Sequence, residues 1–334
     1  MSSSTQSDKS QLVYKPGRSL RSALLKEFHR QIQQTNEFVT STTDMIIGTV
    51  AERHLDVILI TGGCSGLGLE IVKEFTRRDY PKIVVFDIKI PDSDDDSSYI
   101  PGVHYYQCDV SNFERIQELQ GAVRRDVGIV TILINNAGIT IAKPFLEMTV
   151  PEINKVVSVN LLSNFYMNKA FLPDMVDMKR GYIITVASVL GYMSPSSLSA
   201  YGASKSGTIA LHESLTYELG GPLNLNPETY SGVKTLLVCP GQLQTPMFAG
   251  VHTPSSILAP VLEPSWVAQK LVKSIERGAR GEIRFPIYGN FLPLFRATPW
   301  LFTQLARLMS GMDESMQNWG NPNVNPKDKV FPRA

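Results

Sequence analysis

Cysteine is scarce in this chain and follows no pattern. Cys64, Cys108 and Cys239 are the only three, each in or beside an apolar run, and no two form a C-x-x-C pair. That spacing argues against a disulfide framework or a zinc site and suits a reducing compartment, with packing as the thiols' work. The five histidines show no H-x-x-x-H spacing, so no metal is expected. No N-x-[ST] sequon occurs, which favours a compartment without N-glycosylation. An apolar run near the ~20 residues needed to cross a bilayer is missing, and so is a signal-peptide core. Excess charge of one sign is also missing. A formal net charge of +1 gives no electrostatic case for a nucleic-acid partner.

What is present is the material of a core: 43% hydrophobic against 19% charged residues, which excludes a globally disordered chain. The 334 residues divide into an N-terminal extension (1–54), a central domain (55–285) and an aromatic C-terminal extension (286–334). Residues 1–16 are polar and Ser-rich, the composition of a disordered tail. In residues 18–30, Leu20, Leu24 and Phe28 recur at helical spacing beside Arg18, Arg21, Lys26 and Arg30. Such a basic amphipathic helix fits a membrane surface, a transit peptide or packing on the body, with Asp8 and Glu27 counting against the transit peptide.

The central domain opens with an apolar, β-rich run at residues 56–61, then Thr61-Gly62-Gly63-Cys64-Ser65-Gly66-Leu67-Gly68, then a helical stretch to Phe75. Strand, Gly-rich turn and helix make the context in which a backbone can approach a dinucleotide's pyrophosphate and offer it a helix N-terminus. The next strand, residues 82–87, ends in Asp87, about 20 residues beyond Gly68, where a carboxylate accepts from ribose hydroxyls. That carboxylate repels a 2′-phosphate, and Ser65 and Lys89 form no arginine clamp for one. NAD(H) is therefore favoured over NADP(H). A solvated strand end is the alternative for Asp87. A third strand over residues 103–108 leads to Asp109 and Val110, suited to an adenine amino group and its ring.

Residues 130–138 read as a buried strand opening into Asn135, Asn136, Ala137 and Gly138. The small residues suggest close approach of a flat ligand, while the amides either contact it or only fix the turn. Residues 151–169 have helical periodicity and carry Asn160 among apolar neighbours, either as a satisfied core amide or as a water-binding kink. Residues 182–187 form another buried strand with Ser188 at its C-terminal end, where ligands bind in such sheets. The helix that follows, to about residue 219, bears Tyr201 and Lys205. Four positions apart, they share one face. A free phenol titrates near pH ~10, so a general acid/base needs the neighbouring ammonium to lower it. Ser188 can hold the substrate oxygen that Tyr201 protonates. After a strand at residues 233–239, Pro240, Gly241 and Thr245 bend the chain back to the site, and residues 247–264 are a candidate lid. A helix over 265–277 and a short strand over 282–285 follow. Alternating strands and helices imply an α/β fold of the Rossmann type, a doubly wound parallel sheet of about seven strands. The aromatic, Pro-broken residues 285–302 fit either an apolar substrate wall or a segment dipping into a membrane, with Arg296 and Arg307 at the headgroups.

Taken together, Thr61-Gly62, Gly66, Gly68, Asp109, the Asn135–Gly138 turn, Asn160, Ser188, Tyr201, Lys205 and Pro240-Gly241 resemble the short-chain dehydrogenase/reductase family over roughly residues 55–285. The resemblance implies an NAD(P)(H)-dependent oxidoreductase interconverting alcohol and carbonyl, without a metal. Its expected catalytic tetrad is Asn160, Ser188, Tyr201 and Lys205, with Asn160 fixing a water for proton relay. Its expected cofactor residues are Thr61, Gly62, Ser65, Gly66, Leu67, Gly68, Asp87, Asp109, Val110, Asn136, Ala137, Gly138, Tyr201, Lys205, Pro240, Gly241 and Thr245. The Asp87 strand end and aromatic extension are similar to the retinol and 17β-hydroxysteroid dehydrogenase branch found on endoplasmic reticulum and lipid droplets. That similarity implies an apolar substrate, peripheral membrane contact on the cytoplasmic side, and a homodimer through the helices bearing Asn160 and Tyr201. The N-terminus departs from that branch in lacking a clear hydrophobic anchor. A cytosolic or mitochondrial location, a soluble reductase of a polar ketone, and a catalytically idle nucleotide sensor or scaffold are the alternatives.

Overall fold

The computed structural model describes residues 54–92, 98–221, 230–251, 259–316 and 319, all within the unit Thr40–Ala334. The expected N-terminal tail and amphipathic helix, most of the acidic loop after Asp92, and the middle of the candidate lid lie outside the described residues. The core is a seven-stranded parallel sheet in the order β3-β2-β1-β4-β5-β6-β7. Its strands are β1 (Ile58–Thr61), β2 (Ile83–Asp87), β3 (Val103–Gln107), β4 (Ile132–Asn135), β5 (Gly181–Val186), β6 (Val233–Pro240) and β7 (Gly281–Phe285). Strand order reverses between β1 and β4, which opens a crevice at the carboxyl ends of these two strands.

Why the strands read as unbroken apolar runs follows from burial on both faces. Ile58, Ile60, Val85 and Ile134 pack on one face against Ile71 and Phe75 of α1 (Gly66–Arg77) and Leu271 of α6 (Pro264–Glu276). The alternate residues Leu59, Val84, Phe86 and Leu133 pack on the other against Ile116 and Leu119 of α2 (Phe113–Asp126) and Phe171 of α4 (Ser163–Asp177). Cys108 and Cys239 are buried in this packing, and burial pushes both thiols up, Cys108 to about 12. They behave as small apolar side chains, not nucleophiles.

The stretch expected as one helix over 151–169 is three pieces. A capping box of Thr149 and Glu152 starts α3 (Val150–Val157), a π-helical turn occupies Ser158–Leu162, and α4 continues beyond it. The extra residue of a π-turn frees a backbone carbonyl from the helical ladder. Here that carbonyl is Asn160 O, which accepts from Asn164 Nδ2 at 2.8 Å and from Thr208 Oγ1 of α5 (Ser199–Glu218) at 3.0 Å. Periodicity alone gives no sign of such a bulge.

His212, one further turn along α5, is buried with Nδ1 2.9 Å from Thr185 Oγ1 of β5, and its Nε2 has no protein partner. Burial lowers its pKa from 6.5 to about 4, so the unfolded chain binds more protons than the native one between these values. Stability is then complete above pH ~6.5 and falls by up to about 3 kcal/mol as pH drops toward ~4. Urea titrations at pH 7, 5.5 and 4.5 should show a shallower loss in His212→Leu than in the parent; equal slopes would remove His212 as the cause.

Candidate active site

The crevice is built first by glycines. Gly62 has φ 66°, and a Cβ there would stand 3.0 Å from Ala137 Cα. A Cβ on Gly68 would fall 1.9 Å from Gly62 O, so only glycine lets α1 start this close to β1. Ser65 is the exposed N-cap of α1, and its hydroxyl makes no capping bond. The first-turn N–H groups of Gly66, Leu67 and Gly68 have no intrahelical partner and are donors for an anion. Thr245 arrives from the loop after β6, its Cγ2 3.4 Å from where a Gly66 Cβ would be. This cradle fits a dinucleotide's pyrophosphate.

Several polar side chains expected at the cofactor also brace the crevice. Thr61 Oγ1 accepts from the N–H groups of Asn136 and Ala137, both at 3.0 Å. Asn136 Nδ2 donates to Thr61 O at 3.0 Å, the turn-fixing alternative for that amide. Asp87 Oδ2 accepts from Cys64 N at 3.0 Å and Oδ1 from Lys89 N at 3.2 Å, so its carboxylate also shapes the Gly-rich turn. Asp109 Oδ1 takes both the N–H and the hydroxyl of Ser111, while Val110 is buried beside it.

At the carboxyl ends of β4, β5 and β6 the structure brings together Gly138, Asn160, Ser188, Tyr201, Lys205 and Pro240. Ser188 Oγ donates to Pro240 O at 3.3 Å and accepts from Leu190 N at 3.2 Å, and its hydroxyl is near enough to the Tyr201 phenol to favour the phenolate. Lys205 Nζ donates to Val186 O at 3.0 Å. A Cβ on Gly138 would stand 3.6 Å from that ammonium and 3.4 Å from Asn160 Oδ1. Gly241 N donates to Phe285 O, which ties the chain after β6 to the last strand.

One expectation changes here. Lys205 does not pull the phenol down: its Nζ lies 5.9 Å from the Tyr201 ring centroid and is engaged by Val186 O. Burial dominates and raises Tyr201 to about 12, with the Ser188 hydroxyl opposing it. The same burial lowers Lys205 to about 8. The Asn160 side chain is engaged by protein groups. Its Oδ1 accepts from Ile139 N at 2.8 Å, and its Nδ2 donates to Ile139 O at 2.9 Å and Ser204 Oγ at 3.1 Å. Ser204 Oγ in turn donates to Tyr201 O at 2.7 Å, so the amide clamps the β4 loop to the turn that bears the phenol.

The C-terminal residues add what the sequence reading missed. Tyr201 sits in an apolar cluster with Leu198, Val251 and Met316, flanked by Ala142, Leu190, Phe248 and Trp319. Phe248 meets its ring edge-on at 6.1 Å, and Trp319 Nε1 donates to Met247 O at 2.9 Å. Arg296 and Arg307, expected at lipid headgroups, hydrogen-bond the loop after β5, Arg296 from an exposed position. Arg296 donates to Tyr192 O at 2.9 Å and Gly191 O at 2.8 Å, and Arg307 to Ser194 O at 3.1 Å and to Asp313. Carbonyls left open by the loop after β5 are strong acceptors, and the guanidinium groups satisfy them.

Residues 56–255 match the family described as short chain dehydrogenase. The chain is 38% identical over 270 residues to "Uncharacterized oxidoreductase YDL114W" of Saccharomyces cerevisiae, covering 80% of this chain and 86% of that one. It is 35% identical to estradiol 17-beta-dehydrogenase 11 of Homo sapiens over 224 residues, 66% of this chain and 71% of the other. Epidermal retinol dehydrogenase 2 of Mus musculus is 33% identical over 226 residues, with the same shares of 66% and 71%. A short chain dehydrogenase from Burkholderia cenocepacia, solved in complex with NADP, has the same fold, with a TM-score of 0.62 at 24% identity over 78% of this chain and 99% of that one. The chain belongs to the short-chain dehydrogenase family and is an oxidoreductase.

Proposed function

We propose that this enzyme interconverts a lipid-like alcohol and its carbonyl, with Tyr201 exchanging the proton at the substrate oxygen. One observation carries the reading: a buried phenol beside Ser188 lies under an apolar roof that includes Met316 and Trp319. A sugar or other polar ketone would leave hydroxyls unpaired against that roof, at ~1–3 kcal/mol each. The names of the human and mouse relatives, which refer to estradiol and retinol, point the same way.

A bound nicotinamide dinucleotide would accept or supply the hydride and, when oxidised, bring a positive charge to the site. The residues of the chain do the rest. Ser188 holds the substrate oxygen. Tyr201, protonated at neutral pH because burial lifts it to about 12, is ready to donate to a developing alkoxide. In the oxidative direction the phenolate needs positive charge nearby, and Lys205 is the protein's own source. Asn160 acts as a positioning residue through Ile139 and Ser204. Asp87 beside the Gly-rich turn favours NAD(H), since its carboxylate would face a 2′-phosphate. We read the outward side of α4 and α5, with Phe165 43% exposed and Ala203 and Ala210 exposed, as the contact with a second copy. The working location in this reading is the cytoplasmic surface of endoplasmic reticulum or lipid droplets.

Tyr201→Phe is expected to lower kcat on a retinoid or steroid alcohol by at least about 10³-fold while NADH binding stays within about two-fold. Near wild-type kcat would overturn the role. For Lys205 the sign is worked from its lowered pKa, from 10.5 to about 8. The charged form costs stability below pH ~8, and the cost disappears as pH rises to ~10.5. Lys205→Met should melt higher than the parent at pH 7 without cofactor, lose that advantage by pH ~10, and lose turnover. A variant that melts lower throughout would refute the buried-charge argument. Fluorescence titration should show NADH binding more tightly than NADPH, and Asp87→Ala narrowing the ratio at least ten-fold; tighter NADPH binding by the parent would reverse the cofactor assignment.

A further inference from the structure

Beyond the single-turn α7 (Leu292–Phe295), α8 (Trp300–Ser310) is amphipathic the wrong way round for a helix on a soluble body. At 100° per residue, Leu301, Phe302, Leu305, Leu308 and Met309 share one side. They are 61%, 58%, 46%, 80% and 87% exposed. Thr303 and Arg307 occupy the opposite side and face the protein. Thr303 Oγ1 donates to Phe295 O at 3.1 Å, Arg307 Nη1 to Ser194 O at 3.1 Å, and Arg307 Nε to Asp313 Oδ2 at 3.0 Å. The polar anchors set the helix's rotation, and that rotation turns its apolar side outward.

We propose that this outward side of α8 docks on an anionic lipid bilayer, lying in one leaflet's interface. The inference rests on the reading that the substrate is lipid-like and adds the surface by which the enzyme reaches it. Three observations favour lipid over protein. Those five side chains offer no hydrogen-bonding group, whereas protein interfaces carry one hydrogen bond per ~100–200 Å² and a polar rim. Trp300, 73% exposed at the helix start, is the residue type that settles at headgroup depth. The sequence also carries a basic N-terminal stretch, in which Lys9, Lys15, Arg18, Arg21, Lys26 and Arg30 outnumber Asp8 and Glu27. Such charge is drawn to an anionic surface. Among the described residues no helix is long and apolar enough to cross a membrane, so the contact is interfacial. The helix also leads straight to the site. After Gly311, in the left-handed region at φ 59°, the chain makes a short turn and delivers Met316 and Trp319 to the roof over Tyr201. A lipid leaving the bilayer at α8 meets the substrate wall within the same segment.

The test is flotation of the full chain with vesicles of phosphatidylcholine alone or with 30 mol% phosphatidylserine (a chosen composition, roughly that of an anionic leaflet). Turnover of a short, water-soluble secondary alcohol is measured in parallel without vesicles. The expected result is flotation of the parent with the anionic vesicles, at least a ten-fold lower bound fraction for L305Q/L308Q, and unchanged turnover of the soluble alcohol. Equal flotation of parent and variant overturns the proposal, since the bilayer would then be held elsewhere. No flotation of the parent, with L305Q/L308Q converting a dimer to a monomer on a sizing column, overturns it in favour of a second copy. If the variant loses flotation but the parent turns over no alcohol, docking stands and the catalytic reading fails.

Discussion

A phenol and an ammonium share one turn of α5, and neither has more than a trace of water around it: Tyr201 is 5% exposed and Lys205 4%. Burial disfavours charge on both, moving the phenol up and the amine down. The phenol is therefore neutral at pH 7 while the amine still carries its charge there at a cost, and a single added positive charge has a large effect on either. That sensitivity suits a site where proton exchange should wait until substrate and cofactor have assembled. It also explains why the supporting polar groups are so fully engaged. Val186 O takes the ammonium, and Asn160 ties the turn itself to the loop after β4.

The parallel sheet makes that turn possible. With both faces covered, its strands end in one row, and the residues just beyond β1, β4, β5 and β6 all open on one crevice. Thr61 shows how tightly the row is joined: one hydroxyl accepts two N–H groups from the loop after β4. A side chain that reads as a cofactor contact thus acts as a brace between neighbouring strand ends. Asn136 and Asp87 do comparable work on either side of the Gly-rich turn. The cradle is consequently backbone surface, shaped by the side chains that brace it.

Much of this was legible because it is local. Apolar runs with glycine at fixed offsets gave the strands and the cradle, and a spacing of four put Tyr201 and Lys205 on one helical face. The partners were not legible, because they are distant in sequence. Asn160 reads equally as a kink or a core amide until Ile139 and Ser204 stand beside it. The π-turn at Ser158–Leu162 has no signature in a helical pattern, since one inserted residue barely disturbs the periodicity around it. The direction of the phenol's shift needed burial weighed against charge, and burial, which no spacing in the sequence measures, decided it. Met316 carried a faint signal, a large apolar side chain just past an amphipathic stretch, but nothing in the sequence aims it at Tyr201.

Arg296 and Arg307 carry the most general consequence. On a surface helix rich in aromatics, an arginine reads naturally as a group reaching for solvent or phosphate. Here both guanidiniums answer a stronger demand, the backbone carbonyls of residues 191–194 left open by the loop beyond Ser188. Satisfying those acceptors helps fix how the C-terminal segment lies, alongside the packing of Met316 and Trp319. The loop that carries Ser188 and the segment that carries Met316 are thereby held by the same two side chains. Geometry at the reacting oxygen and the shape of the apolar roof are mechanically one unit, so a change at either arginine disturbs substrate fit before it touches the phenol.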